Sequence, residues 1–511
     1  MTLAAIFAVV AGLLHAASIA TPWSGQPSGS LQLVALGLLA LLLQRCQRPT
    51  HGAWLGWLFA TSWLCGTFWW MYVAMVTYAG LPGWLAAFAI FALAGVLSLY
   101  YAAAGAAFVA LQPASRVGAA IVFASLWLTA ELARGVWFTG FGWGAAGYAH
   151  IDGMARFARV VGAYGVAALV AFIAALVAFW LAAPRRVRRL WMPALAIALA
   201  TILALPPGVY TGSVGNLQVA LLQGNIAQDV KFEPGTGVAD ALRWYGEQLS
   251  AASAALVVAP ETAIPLLPQD LPPDYWAGLR GLFEQRDQAA LLGIPLRNAD
   301  AGYTNSVVGL KPGALAPDGI APYRYEKRHL VPFGEFIPPM FRWFTRMMNI
   351  PLGDFDRGSV GQASFEWRGQ RLAPNICFED LFGEELAQRF TDPAKAPTIF
   401  VNVSNIGWFG NTVIVDQHLN ISRMRALEFE RPFIRATNTG DTVIIDHDAR
   451  VTHALPRYTR GVLIGEVQGR AGITPYVWWV SRFGLWPLWL LAALVVLGAV
   501  MAKRRRPLDP P

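Results

Sequence analysis

Three short stretches of this 511-residue chain hold side chains that together could support catalysis by a cysteine nucleophile. Within Pro374-Asn375-Ile376-Cys377-Phe378-Glu379-Asp380, Cys377 sits at the end of an apolar, strand-like run. Glu261 stands just past an apolar run, in Val258-Ala259-Pro260-Glu261-Thr262-Ala263, and Lys327 lies in the charged loop Tyr325-Glu326-Lys327-Arg328-His329-Leu330. A cysteine attacks only as thiolate, so Cys377 needs a base, a positive group and protection from water, all from elsewhere in the chain. A carboxylate among apolar residues can act as that base, and a lysine beside it can favour the thiolate and bind a developing oxyanion. Taken singly, each has a plainer reading: a surface carboxylate at a strand end, a solvated lysine, a small buried core residue.

The elements that must position these groups fall into two regions. Hydrophobic residues make up 56% of the chain and charged residues 14%, too apolar a balance for an ordinary soluble enzyme. The first two hundred residues carry long uncharged runs, whereas 218–468 has the mixed composition of a globular domain. The expected layout is a transmembrane region of seven spans over 1–210, a catalytic domain over 217–468, an eighth transmembrane helix over 474–503 and a tail over 504–511. Apolar runs of spanning length, about 20 residues, lie near 3–20, 30–44, 53–77, 84–111, 118–134, 160–182, 190–206 and 476–501. Ala16-Ala17-Ser18 resembles a signal-peptide cleavage site, but no basic residue precedes the first run, which reads as a retained span.

The net charge of +8 sits largely in clusters beside these runs, which fits membrane orientation better than nucleic-acid binding. Arg45, Arg48, Arg116, Arg185, Arg186, Arg188, Arg189 and Lys503 to Arg506 follow alternate spans, while the loops at 21–29 and 78–83 have no lysine or arginine. Both termini are therefore expected in the cytoplasm and the 217–468 domain on the opposite side, the periplasm of a bacterium. Arg156 and Arg159 run against this pattern. The loop from Gly135 to Trp143 mixes glycines with aromatics suited to the headgroup level, and Glu131 is expected either to make a structural or headgroup contact or to be exposed at the interface. Cys46 and Cys65 lie in or beside apolar runs, so Cys377 has no disulfide partner within its domain.

Beyond residue 217, short β-type runs alternate with helical segments. Strands are expected at 217–223, 255–259, 289–293, 306–310, 372–378, 398–403, 433–437 and 442–446, and helices at 239–254, 274–288 and 415–428. Strands alternating with helices imply an α/β domain with buried sheets.

The order Pro-Glu-Thr-Ala, then Lys-Arg-His-Leu-Val-Pro-Phe-Gly-Glu, then Asn-Ile-Cys-Phe-Glu resembles the Glu–Lys–Cys arrangement of the nitrilase superfamily. With Ser404-Asn405-Ile406-Gly407-Trp408-Phe409-Gly410, Gln417-His418 and eight spans, nearly the whole chain resembles the bacterial apolipoprotein N-acyltransferase family. That resemblance implies a membrane α-helical bundle of about eight spans plus a nitrilase-like αββα sandwich. It implies Glu261 as general base, Lys327 as oxyanion stabiliser, Cys377 as nucleophile, and Glu335, Phe378 and Glu379 as supporting residues. The reaction implied is transfer of the sn-1 acyl chain of a phospholipid, such as phosphatidylethanolamine, through a cysteine thioester to the N-terminal S-diacylglyceryl-cysteine of an apolipoprotein. It implies no cofactor and no metal, and a bacterial inner-membrane location. Three positions depart from the family pattern: Phe232 replaces a tryptophan, Phe378 a tyrosine and Gly142 a proline. A membrane-tethered amidohydrolase and a non-catalytic lipoprotein-binding module are the alternatives.

A segment over 333–350, rich in aromatics and methionine and broken by Pro338 and Pro339, is expected to form a mobile arm that admits acyl chains, the plain alternative being a packed surface loop. Phe333, Phe336, Trp343, Phe344 and Trp408 are candidate lipid contacts. His329 and His418 lack a ligand-spaced partner and are expected to make structural hydrogen bonds.

Overall fold

The computed structural model describes residues 2–113, 115–186, 208–298, 302–313, 321–337 and 355–505. The chain divides into two compact units. One comprises Met1–Met71, Gly83–Val209 and Phe483–Pro511, the other Tyr72–Pro82 and Tyr210–Arg482.

The first unit is helical. Among its described residues, Thr2–Ile19, Gly83–Leu111, Arg116–Thr139, Met154–Leu181 and Trp486–Arg504 are long and apolar enough to cross a membrane, and Gly29–Gln44 is apolar but shorter. The expected span at 190–206 lies outside the described residues. The run expected near 53–77 forms the helix Pro49–Phe68, after which the chain passes at Tyr72 into the second unit. The single helix expected over 474–503 is two, Pro475–Phe483 and Trp486–Arg504, divided where Gly484 takes φ +55°. Glu131 is fully buried, which removes simple interfacial exposure, and its carboxylate accepts the Ala146 N–H at 3.0 Å. Arg134, one turn on, donates to the carbonyls of Phe141 and Trp143 at 2.6 and 2.8 Å. The pair thus satisfies backbone groups of the 141–146 loop inside an apolar bundle, where unpaired ones would be costly.

The second unit is built on two six-stranded sheets. The first has the order β12-β1-β2-β3-β4-β5, formed by Gly461–Gly472, Thr211–Gln223, Leu256–Val258, Ala289–Arg297, Tyr303–Leu310 and Tyr323–Glu326. The second has the order β11-β10-β9-β8-β7-β6, formed by Val451–Ala454, Val443–Ile445, Phe433–Thr437, Ile399–Ser404, Gln370–Ile376 and Phe365–Trp367. The sheets share a core that includes Val219, Leu221, Val258, Leu291, Ile376, Val401 and Ile434. The other face of the first sheet packs on the helices Ala239–Ala251 and Tyr275–Gln285 through Trp244, Tyr245, Leu279 and Phe283. The helix Ile414–Phe429 belongs with the second sheet. The architecture is the expected αββα sandwich.

All eight expected strands form. β5, β6, β11 and β12 were not anticipated. β5 and β6 are four and three residues long, and β11 is exposed at every position, so none shows a clear apolar alternation. In each sheet the central strands are parallel: β1, β2 and β3 in one, β7, β8 and β9 in the other. The carboxyl ends of neighbouring parallel strands lie side by side, which is where functional residues collect in α/β sheets.

Candidate active site

Glu261, Lys327 and Cys377 each follow a strand, β2, β5 and β7. Between Pro260 and Ala263 the chain turns sharply, with Thr262 at φ +48°, and the Glu261 carboxylate is 7% exposed. Its Oε1 accepts from Asn305 Nδ2 at 2.8 Å and from Lys327 Nζ at 3.2 Å, and its Oε2 accepts from the Asn405 N–H at 2.8 Å. Lys327, 1% exposed, also donates to Glu335 Oε1 at 2.7 Å. Glu335 accepts from Asn305 Nδ2 at 2.8 Å and from the Val331 N–H at 2.8 Å. One ammonium and one amide thus hold two buried carboxylates together. Burial lowers Lys327, but the Glu261 and Glu335 charges outweigh it and hold the ammonium above its ordinary range.

Cys377 leaves β7 in the left-handed region, φ +57°, and opens the 3-10 turn Cys377–Leu381. That conformation costs an L-residue about 1–2 kcal/mol and needs outside support. Support comes at its carbonyl, which takes Asn402 Nδ2 at 2.8 Å, with His418 Nε2 at 3.2 Å. His418 Nε2 is also 3.2 Å from Asp380 Oδ1, and Asp380 Oδ2 is held by Ser422 and by Arg435 at 3.3 Å. Ser404 Oγ lies 3.6 Å from the Cys377 sulfur and donates to it.

Burial pushes the Cys377 thiol up to about 12; the Glu261 charge adds to this, and Lys327 and the Ser404 hydroxyl oppose it. The resting residue is therefore a thiol, and its proton must leave as the sulfur attacks. In the intact protein, alkylation of Cys377 by iodoacetamide should rise about tenfold per pH unit from pH 7 to 10, because the thiolate fraction does. A rate that is flat from pH 7 to 9, followed by mass spectrometry of the Cys377 peptide, would mean that the thiolate is already formed.

Glu379 ties the lysine and cysteine segments together. Its Oε1 accepts the N–H groups of Arg328 and His329 at 2.6 and 3.1 Å; its Oε2 accepts the Ile376 N–H and the Tyr325 hydroxyl, both at 2.7 Å. Burial raises this carboxyl, and the Ile376 N–H, the Tyr325 hydroxyl, the Lys327 charge and the His329 N–H oppose that rise. Phe378 is buried with its ring centroid 5.6 Å from Lys327 Nζ, so it covers one side of the ammonium. Phe333 is exposed at φ +63°, and Phe336 lies 4.6 Å beneath the Arg357 guanidinium. Trp408 packs edge-on against Tyr78 at 5.3 Å. Trp343 and Phe344, with most of the expected 333–350 arm, lie outside the described residues. His329 stacks on Phe382 with Nδ1 3.2 Å from Glu385 Oε1.

Sequence reasoning missed Asn305, Asn402 and Lys231. Asn305 and Asn402 are amides inside buried strands; Asn402, between Val401 and Val403, carries the signal of an amide amid apolar residues, whereas Asn305, between Thr304 and Ser306, does not.

Comparison with known proteins bears on the whole chain. Residues 11–176 match the apolipoprotein N-acyltransferase N-terminal domain model, and residues 218–476 match the carbon-nitrogen hydrolase model. An apolipoprotein N-acyltransferase from Verminephrobacter eiseniae is 56% identical, the match covering 98% of this chain and 97% of that protein. One from Ralstonia nicotianae is 43% identical over 93% of this chain and 90% of its own length. One from Bordetella bronchiseptica is 39% identical over 98% and 97%.

Proposed function

This chain belongs to the apolipoprotein N-acyltransferase family, and on that premise we propose that Glu261, Lys327 and Cys377 carry the acyl group from a phospholipid to an apolipoprotein. The protein is a membrane acyltransferase of lipoprotein biosynthesis. The observation that carries the residue assignment is the buried Glu261–Lys327–Glu335 cluster, whose Glu261 and Lys327 charges act on the Cys377 sulfur.

In the first half-reaction Glu261 takes the thiol proton as the sulfur attacks the sn-1 ester carbonyl. Lys327 and a backbone N–H near Phe378 stabilise the oxyanion. The C–O bond then breaks, the proton passes from Glu261 to the departing oxygen, and lysophospholipid leaves a thioester behind. In the second half-reaction the α-amine of the diacylglyceryl cysteine attacks the thioester and gives up its proton to Glu261. The C–S bond breaks, the sulfur is reprotonated, and the N-acylated lipoprotein is released. Phe333, Phe336 and Trp408 are proposed to contact acyl chains. Basic residues beside alternate spans support a site on the periplasmic side of a bacterial inner membrane.

Purified protein incubated with phosphatidylethanolamine labelled in its sn-1 chain should acquire one labelled acyl group on the Cys377 peptide. Adding a diacylglyceryl peptide should then move the label onto the peptide amine. Label appearing as free fatty acid would indicate an amidohydrolase-like enzyme. Absence of any adduct would indicate a binding module.

A further inference from the structure

Lys231 plays no part in the chemistry described so far, yet its side chain is 1% exposed. It lies in the turn after β1, where a methyl group on Gly237 would come within 2.7 Å of the Lys231 Cα, so its backbone is packed without slack. Burial brings its ammonium down to about 7, although the neighbouring Glu261 charge pulls the other way. Burying such an amine is costly unless its donors are bonded.

Its two bonds go to consecutive residues. Lys231 Nζ donates to the backbone carbonyl of Glu261 at 3.1 Å and to Thr262 Oγ1 at 2.7 Å. Thr262 is β-branched and sits at φ +48°, a conformation that such residues rarely adopt unless held. Opposite this turn lies Gly293 of β3, where a Cβ would come within 2.2 Å of the Pro260 carbonyl oxygen and 2.8 Å of the Glu261 Cα. The Ile264 N–H bonds to the Gly293 carbonyl at 3.1 Å. The turn that carries Glu261 is therefore seated on one strand and held by one lysine amine. The Glu261 carboxylate is held separately, by Asn305, Lys327 and the Asn405 N–H.

We propose that Lys231 is a positioning residue for acyl transfer, clamping the strained Glu261–Thr262 peptide and so fixing the direction from which the Glu261 carboxylate meets the Cys377 thiol. This rests on Glu261 being the base. Lys231 touches neither the sulfur nor the acyl group; it acts through the turn, where a small misplacement of a catalytic group is expensive in rate.

The test uses full-length protein in detergent and reads single-turnover thioester formation on Cys377 from phosphatidylethanolamine. Lys231→Met should slow that step about 30-fold while leaving phospholipid affinity within about twofold. Thr262→Gly removes both the strain and the hydroxyl that Lys231 grips. If the lysine acts through this turn, Lys231→Met combined with Thr262→Gly should be no slower than Lys231→Met alone, to within about twofold. A wild-type rate for Lys231→Met, or losses that multiply in the double variant, would overturn the proposal. Should Lys231→Met fail to fold, Thr262→Val keeps the lysine and removes one of its two bonds; it should slow the step about threefold or more, and an unchanged rate would overturn the proposal equally. Glu261→Gln separates the two levels. If it forms thioester at the wild-type rate, the base assignment itself falls; if it is inactive while Lys231→Met is unimpaired, only the role of Lys231 falls.

Discussion

Lys327→Met should slow thioester formation about 1,000-fold or more and cost about 3–5 kcal/mol of stability. Both effects have one origin. The Lys327 ammonium is almost fully buried and lies 2.7 Å from Glu335 and 3.2 Å from Glu261. Methionine fills a similar volume without charge, so two carboxylates that shared a cation would face each other through Asn305 alone. The lost stability is the cost of those unpaired charges, and the lost rate is the missing stabilisation of the oxyanion. The two can be separated. Combining Lys327→Met with Glu335→Gln removes one stranded charge and should recover part of the melting temperature, but none of the rate. Recovery of transfer in the double variant would mean that Lys327 matters for charge balance and not for the oxyanion.

Glu261→Gln should slow thioester formation by about 10²–10⁴-fold, since an amide cannot take the proton that Cys377 must release. With the thiol pushed up to about 12, the residue is a thiol at pH 7, so a working base is essential to the rate. The same substitution should act on alkylation in the opposite sense. The Glu261 charge is one of the causes that raise the Cys377 thiol, and glutamine removes it while Lys327 remains. The thiolate should then form at lower pH, and the alkylation profile of the variant should move down in pH as its transfer rate collapses. If both readouts fall together and the profile does not move, Glu261 is holding the shape of the site and not serving as its base.

Much of this protein was legible from residue types in order. Long uncharged runs separated by arginine clusters announced a membrane region, because water-exposed chains cannot leave so many apolar residues unpaired with a core. The parallel central strands were legible as buried apolar runs. β5, β6 and β11 were not, since they are short edge or near-edge strands whose existence depends on the neighbour they pair with. The passage of 72–82 into the second unit was equally hidden, because an apolar run has no mark that tells where a helix will stop and the chain will pack elsewhere.

Glu261, Lys327 and Cys377 were nameable from the sequence because each follows a strand in a recognisable local string, and local strings survive in one dimension. What no string contained was the set of partners around them. Asn305 bridges Glu261 and Glu335, Asn402 and His418 hold the carbonyl of a left-handed Cys377, Glu379 joins the lysine and cysteine segments, and Lys231 bonds the turn that carries Glu261. Bonded partners in the site are separated by as many as 144 positions, the distance from Glu261 to the Asn405 N–H that its carboxylate accepts. The sequence by itself determined which groups are candidates for the chemistry and that the chain carries a membrane region. Only the tertiary structure decided their charge states and directions, because burial, paired charges and hydrogen bonds act through space between strands that meet only when both sheets have formed.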